Sequence, residues 1–228
     1  MTTVTSKDVQ IAVNAKAGMV SALMLRPPSA KALLVIAHGA GAGMRHRFME
    51  DSAAKLAANG IATLRYQFPY MEKQQRRPDP PAIACAAVRA AVAAAARAAP
   101  GLPLIAGGKS FGGRMTSTAQ SQEPLPGVVG LAFLGFPLHP PGQPGVTRAQ
   151  HFDGVNVPLL FLQGDRDEFA ELILLRQVVQ RLGKSALLRV VKGGDHSFNV
   201  PKSSGRTAED GRAELADAIV AWADSLDR

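Results

Sequence analysis

The chain predicts an α/β fold with a mostly parallel, doubly wound sheet and helices on both faces. Three observations in its 228 residues lead there. Short apolar runs alternate with longer stretches of helical periodicity, which is the pattern of repeated strand-helix units. Several runs are unbroken, as strands buried on both faces require. Gly-rich turns follow two of these runs, at the strand ends where open sheets of this kind keep their ligands.

The elements run in order along the chain. Val9–Val13 and Val20–Leu25 read as an antiparallel hairpin at the sheet edge, turning near Ala17-Gly18. A strand over Lys31–Ala37 precedes a helix over Phe48–Ala58, which Asn59-Gly60 ends, and then a strand over Ile61–Tyr66. Gln67–Pro81, rich in Gln, Arg and Pro, reads as a loop, and the alanine-dense Ala82–Ala99 as a helix closely packed on the sheet. After Pro100-Gly101 comes a buried strand over Leu102–Ala106, and Arg114–Glu123 is free to be helical until Pro124. Gly127–Phe133 is a strand, and Gly135–Asn156 is a loop rich in Pro and Gly. The apolar run Pro158–Leu162, a helix from Asp167 through Leu182, a strand over Ala186–Val191 and a helix over Thr207–Leu226 complete a single domain of residues 1–228. Only 24 residues separate the strand ending at Phe133 from the one starting at Pro158, too few for a helical cap. The site is therefore expected to be open, walled by the loops Gln67–Pro81 and Gly135–Gln150, whose prolines restrict the backbone.

Gly108-Lys109-Ser110-Phe111-Gly112 is a G-x-S-x-G pentapeptide between a strand and a helix. In that setting the serine sits on a strained bend with its Oγ raised above the sheet, so Ser110 is the candidate nucleophile. A serine needs a base within hydrogen-bond reach and an acid to orient the base, in the chain order Ser, Asp or Glu, His for this kind of turn. Of His38, His46, His139, His151 and His196, only His196 follows both the serine and a plausible acid-bearing strand. The acid lies in Gln163-Gly164-Asp165-Arg166-Asp167, where Asp165 and Asp167 compete. The Gly-x-x-Asp spacing favours Asp167, whose other role would be to cap the helix it precedes. The backbone N–H groups of Phe111 and of Ala40, in the small-residue loop His38–Gly43, are the candidate oxyanion donors, with Gly41 next. His38 is assigned to propping that loop. A dinucleotide-binding loop is the weaker reading of Gly39–Gly43, since G-x-G-x-x-G is not met and no acidic residue closes a second strand about 20 residues on.

The set His38–Gly43, Gly107–Arg114, Phe136–Gly142, Gln163–Asp167 and Gly194–Phe198 resembles the small α/β-hydrolases of the dienelactone-hydrolase-like, testis-expressed-protein-30-like group, with a match from about Val20 to Leu226. Where dienelactone hydrolases commonly carry a cysteine nucleophile, this chain has Ser110. The resemblance implies a serine hydrolase fold with little or no cap, and Ser110, Asp167 and His196 in the triad positions. It also leaves a second class in view, a non-catalytic interaction module on the same fold.

Composition narrows the partners. Residues 1–120 carry 15 Lys/Arg against 5 Asp/Glu, and residues 121–228 carry 11 against 13, so the net +8 is +10 in the first half and −2 in the second. Arg45, Arg47, Lys73, Arg76, Arg77 and Lys109 belong to it, and steering of an anionic ester substrate is one reading, a generally basic surface the other. Gly41, His46, Arg76, Arg77, Lys109 and His139 are the candidate substrate contacts. With 5% aromatic residues and no long basic run, nucleic acid is not an expected partner. No 18-residue apolar run or leader pattern is read, and the lone Cys85 has no internal partner, so a cytoplasmic protein, monomeric or a small homo-oligomer, is expected. Neither a cofactor nor a metal is implied.

Overall fold

The computed structural model describes residues 5–226. Its strands are β1 (Lys7–Asn14), β2 (Gly18–Leu25), β3 (Ala32–Ala37), β4 (Ile61–Tyr66), β5 (Leu104–Lys109), β6 (Val128–Leu134), β7 (Leu159–Gly164) and β8 (Ala186–Val191). They make one sheet in the order β1-β2-β4-β3-β5-β6-β7-β8. The β1–β2 hairpin pairs antiparallel and joins β4 antiparallel, and β3 to β8 run parallel. The helices are α1 (Arg47–Ala58), α2 (Pro69–Glu72), α3 (Pro81–Ala98), α4 (Phe111–Gln122), α5 (Leu172–Leu182) and α6 (Ala208–Ser225).

Alternation along β3 divides the core in two. Leu34 and Ile36 pack with Phe48, Met49 and Leu56 of α1 and with Leu215, Ile219 and Trp222 of α6. Leu33 and Val35 face the opposite way, into a layer holding Val88 and Val92 of α3, Met115 of α4 and Leu175 of α5. Because α1 and α3 lie on opposite faces, the winding reverses beside β3, which pairs with β4 on one side and β5 on the other. The crevice at the carboxyl ends of β3 and β5 is where such a sheet binds ligands.

Phe133 of β6, Phe161 of β7, and Phe136 and Phe152 from the segment between those strands form one ring cluster, with centroids 4.9 to 6.0 Å apart. Each is fully buried, which contributes about 1.5–3 kcal/mol per side chain. That cluster pins the Pro-rich segment to the sheet. The only regular structure in the segment is a 3₁₀ turn over Thr147–Gly154, so no cap covers the crevice.

Several expectations need correction. The loop Gln67–Pro81 contains α2, which opens with Pro69 at its first position and buries Tyr70. The helix expected from Asp167 starts at Leu172, and Asp167 is not its cap. β5 continues through Gly107 and Gly108 to Lys109 because both glycines pair with β3 and β6. Finally, α3 is an 18-residue stretch with a mean hydropathy of 1.4, long and apolar enough to cross a membrane by length and composition. Alanine carries that hydropathy. Yet the helix buries Ala84, Val88, Ala91, Val92 and Ala95 against the sheet and exposes Arg97 near its end.

Candidate active site

Ser110 joins β5 to α4 with φ 50° and ψ −115°, a left-handed-side conformation that costs a non-glycine residue about 1–3 kcal/mol. Its N–H donates to Leu134 O at 3.2 Å, which ties the bend to β6. The bend is crowded: a Cβ on Gly108 would lie 2.6 Å from Ala37 O, and one on Gly112 would lie 2.6 Å from both Ala37 O and His38 O. Thr116 Oγ1 donates to Gly112 O at 2.9 Å and Gly107 O at 3.2 Å, holding helix to strand.

Asp167 and His196 come from turns that are stitched to one another. Asp165 Oδ1 accepts the Gly193 N–H at 2.7 Å, and Arg166 N–H donates to Gly194 O at 2.9 Å. Gly164 and Gly194 touch so closely that a Cβ on Gly164 would overlap the Gly194 carbonyl. Asp195 Oδ1 accepts the N–H groups of Ser197 at 2.8 Å and Asn199 at 2.9 Å, closing the turn that carries His196. The result is a hydrogen-bonded line. His196 Nδ1 lies 2.7 Å from Asp167 Oδ2, and His196 Nε2 lies 2.9 Å from Ser110 Oγ. Asp165, the competing acid, braces the β8 turn instead.

Three donors converge on Asp167, whose side chain is fully buried: His196 Nδ1, the Phe169 N–H at 2.8 Å, and Gln163 Nε2 at 2.5 Å. Phe169 also lays its ring 4.3 Å from the His196 ring. His38 is buried beneath the β3 loop, where Nδ1 meets Gly39 O at 2.8 Å and Nε2 accepts the Phe68 N–H at 3.1 Å. This pair fixes a neutral tautomer. Burial pushes the imidazole down to about 4, against the upward pull of the Gly39 contact. The N–H groups of Ala40 and Phe111 have no backbone acceptor among the described residues, and Phe111 begins α4, where the helix dipole favours negative charge.

Two cavities, of about 790 Å³ and 580 Å³, meet at Ser110 and Ala40. Of the candidate substrate contacts, Arg77 lines the larger, and Gly41, His46 and Lys109 line the smaller. His46 also caps α1, Nδ1 accepting the Phe48 N–H at 3.3 Å. Burial brings the Lys109 ammonium down to about 8, with Asp167 and Asp195 pulling it up, and Nζ has no hydrogen-bond partner among the described residues. Arg76 is exposed and lines neither cavity. His139 lies outside both because its nitrogens are engaged internally, Nδ1 with Pro140 O and Nε2 with the Glu171 N–H, each at 2.9 Å. Gln163, Phe169, Arg114 and Arg148 escaped the sequence reading. Only Arg114, one helical turn beyond Ser110, carried a signal that could have found it.

A lidless, mostly parallel sheet with Ser, His and Asp aligned at its carboxyl edge defines an α/β-hydrolase architecture. The chain belongs to the family described as Alpha/beta hydrolase domain, which it matches over residues 30–224. Solved structures share the fold at low identity. A dienelactone hydrolase from Anabaena variabilis superposes with a TM-score of 0.79 at 17% identity, covering 99% of each chain. An α/β serine hydrolase without lid from Xanthomonas campestris gives 0.73 at 19%, covering 97% of each chain. The esterase domain of a Rhodothermus marinus protein gives 0.73 at 17%, covering 97% of this chain and 99% of that one.

Proposed function

We propose that the protein is a serine esterase acting on small ester substrates through an acyl-enzyme. The observation that carries this reading is the line Ser110 Oγ, His196 Nε2, His196 Nδ1, Asp167 Oδ2, with spacings of 2.9 and 2.7 Å, opening onto two cavities. Asp167 accepts a hydrogen bond from Nδ1–H, which keeps the proton on Nδ1 and leaves Nε2 free to take the proton of Ser110. Ser110 Oγ bonds to the carbonyl carbon, and the N–H groups of Ala40 and Phe111 hold the oxyanion. His196 then passes its proton to the alkoxide, which leaves as an alcohol. A water attacks the acyl-enzyme by the same proton route and releases the acid. Membership of a hydrolase family and the likeness to esterase folds support the reading. So does the strained Ser110, since an interaction module has no use for a raised, base-paired hydroxyl.

The test is labelling with a fluorophosphonate probe alongside hydrolysis of p-nitrophenyl esters. Wild-type protein is expected to label. Ser110→Ala is expected to lose the label and about 10³-fold or more of its turnover. Undiminished labelling of Ser110→Ala would sink the assignment.

A further inference from the structure

His196 lines the 580 Å³ cavity and not the 790 Å³ one, which is lined instead by Phe111, Arg77, Arg114 and Arg148. When Ser110 attacks an ester, the departing oxygen must face His196 Nε2, which gives it a proton. The alcohol portion then occupies the smaller cavity, leaving the larger for the acyl chain, an assignment that rests on the esterase reading.

The larger cavity holds uncompensated positive charge. Arg114 follows Ser110 by one turn of α4, its N–H donating to Ser110 O at 3.1 Å. Its guanidinium makes no hydrogen bond among the described residues, and its Nε is buried without a partner. Arg148, from the 3₁₀ turn held down by the phenylalanine cluster, has one hydrogen bond, to Pro137 O at 3.4 Å. Arg45, Arg89 and Arg181 face carboxylates, whereas Arg77, Arg114 and Arg148 have none within ion-pair distance among the described residues. Other arginines without one, such as Arg26, Arg97 and Arg176, are exposed, but Arg114 and Arg148 are half-buried. Burial, and then the charge of Arg148 beside it, holds the Arg114 guanidinium below its ordinary range. Burial, and then the charge of Arg114, brings His151 down to about 4. One carboxylate, Asp79, lines the cavity, and its Oδ2 accepts the Tyr70 N–H at 2.9 Å. Half-buried cations without counter-charge are costly unless a ligand completes them, and a guanidinium matches a carboxylate with two parallel hydrogen bonds.

We propose that Arg114 and Arg148 form an anion subsite for a second carboxylate on the acyl chain, so that half-esters of short dicarboxylic acids are the preferred substrates. Hydrolysis would release the free dicarboxylate and the alcohol, with no further reactant than water. A helical turn rises about 5.4 Å, a separation suited to a short chain, so the probe is the p-nitrophenyl half-ester of glutaric acid, with the valerate ester of equal carbon count as its neutral counterpart.

The wild-type kcat/KM is expected to favour the half-ester by at least about tenfold, the effect of a charge-assisted hydrogen bond. Arg114→Gln and Arg148→Gln should each collapse that ratio by a similar factor, and Arg114→Lys should retain part of it. Melting curves establish that the variants are folded. Glutarate binding to Ser110→Ala, measured by calorimetry, reads the subsite without turnover and should vanish when Arg114→Gln is added. Ser110-dependent valerate hydrolysis without preference for the half-ester, or a ratio unmoved in both Gln variants, overturns the subsite alone. Absence of Ser110-dependent hydrolysis of either ester overturns the esterase reading, and calorimetry then still decides whether the arginines bind a dicarboxylate.

Discussion

Asp167→Asn replaces an oxygen by an amide nitrogen in a carboxylate that accepts three hydrogen bonds. Its Oδ1 takes the Phe169 N–H at 2.8 Å, and its Oδ2 takes His196 Nδ1 at 2.7 Å and Gln163 Nε2 at 2.5 Å. Gln163 cannot present its carbonyl instead, because Oε1 already holds the Phe136 N–H at 2.9 Å. Wherever the new NH₂ points, it meets a donor. Turned toward Phe169, it leaves a buried N–H without an acceptor, costing about 1–3 kcal/mol of stability. Turned toward His196, it forces the ring proton onto Nε2, which can no longer accept from Ser110. That second outcome costs rate: kcat should fall by about 10³ to 10⁴, or about 4–5.5 kcal/mol of barrier. Burst kinetics with p-nitrophenyl acetate measure the rate, and urea unfolding measures the stability. Asp165→Asn, which weakens only the brace to Gly193, should cost less than about tenfold, the scale of one ordinary hydrogen bond. A kcat for Asp167→Asn within tenfold of wild type, or a larger loss in Asp165→Asn, would refute the reasoning.

Two further outcomes come from the packing. Gly112→Ala should cost about 3 kcal/mol through the clash with Ala37 O and His38 O, seen as a Tm about 6–12 °C lower, and should slow turnover as well because the Ala40 loop is pushed away from Phe111. A thermal shift under 2 °C would show that the loop yields freely. His38 is neutral in the fold, with a pKa near 4 against 6.5 when unfolded, so as pH falls the unfolded chain takes up the proton first. The stability from this residue is complete above pH 6.5 and is lost on the way down to pH 4, by up to about 3 kcal/mol. Urea unfolding at pH 7.5, 6 and 5 should show that slope in wild type and a shallower one in His38→Gln. Parallel slopes would remove His38 from the account.

The strands, the main helices and the Ser-Asp-His order were legible because each depends on local chemistry. Unbroken apolar runs such as Leu159–Leu162 have few alternatives to a buried strand, and small residues around Ser110 mark a sharp bend. What escaped depends on contacts far along the chain. Spacing favours Asp167 as the acid facing His196, but its second reading as a helix cap fails, because its carboxylate is held by partners such as His196, 29 residues later, and α5 starts at Leu172 without a side-chain cap. α2 is four residues long, with Tyr70 buried and its N–H held by Asp79, neither of which shows in a Gln-, Arg- and Pro-rich stretch. His139 has a loop histidine's appearance, and only the Glu171 N–H on Nε2 discloses a bracing role. Arg148 reaches the cavity because Phe136 and Phe152 anchor its segment, a tertiary cause with no local trace.

The glycines around the bend bear on how such pentapeptides are interpreted. Backbone from β3, β5, β6 or α4 occupies the space where a side chain on Gly107, Gly108, Gly112 or Gly113 would begin. That exclusion operates whether or not a reaction takes place, so a descendant of this chain that had lost its serine would still need all four glycines to close its sheet. Within the motif, the glycines therefore diagnose architecture, and the hydroxyl at position 110 is the only part that speaks to turnover. A library built to alter selectivity would spend its diversity at Lys109, Phe111 and Arg114, where side chains already reach a cavity wall, and leave the glycines as they are.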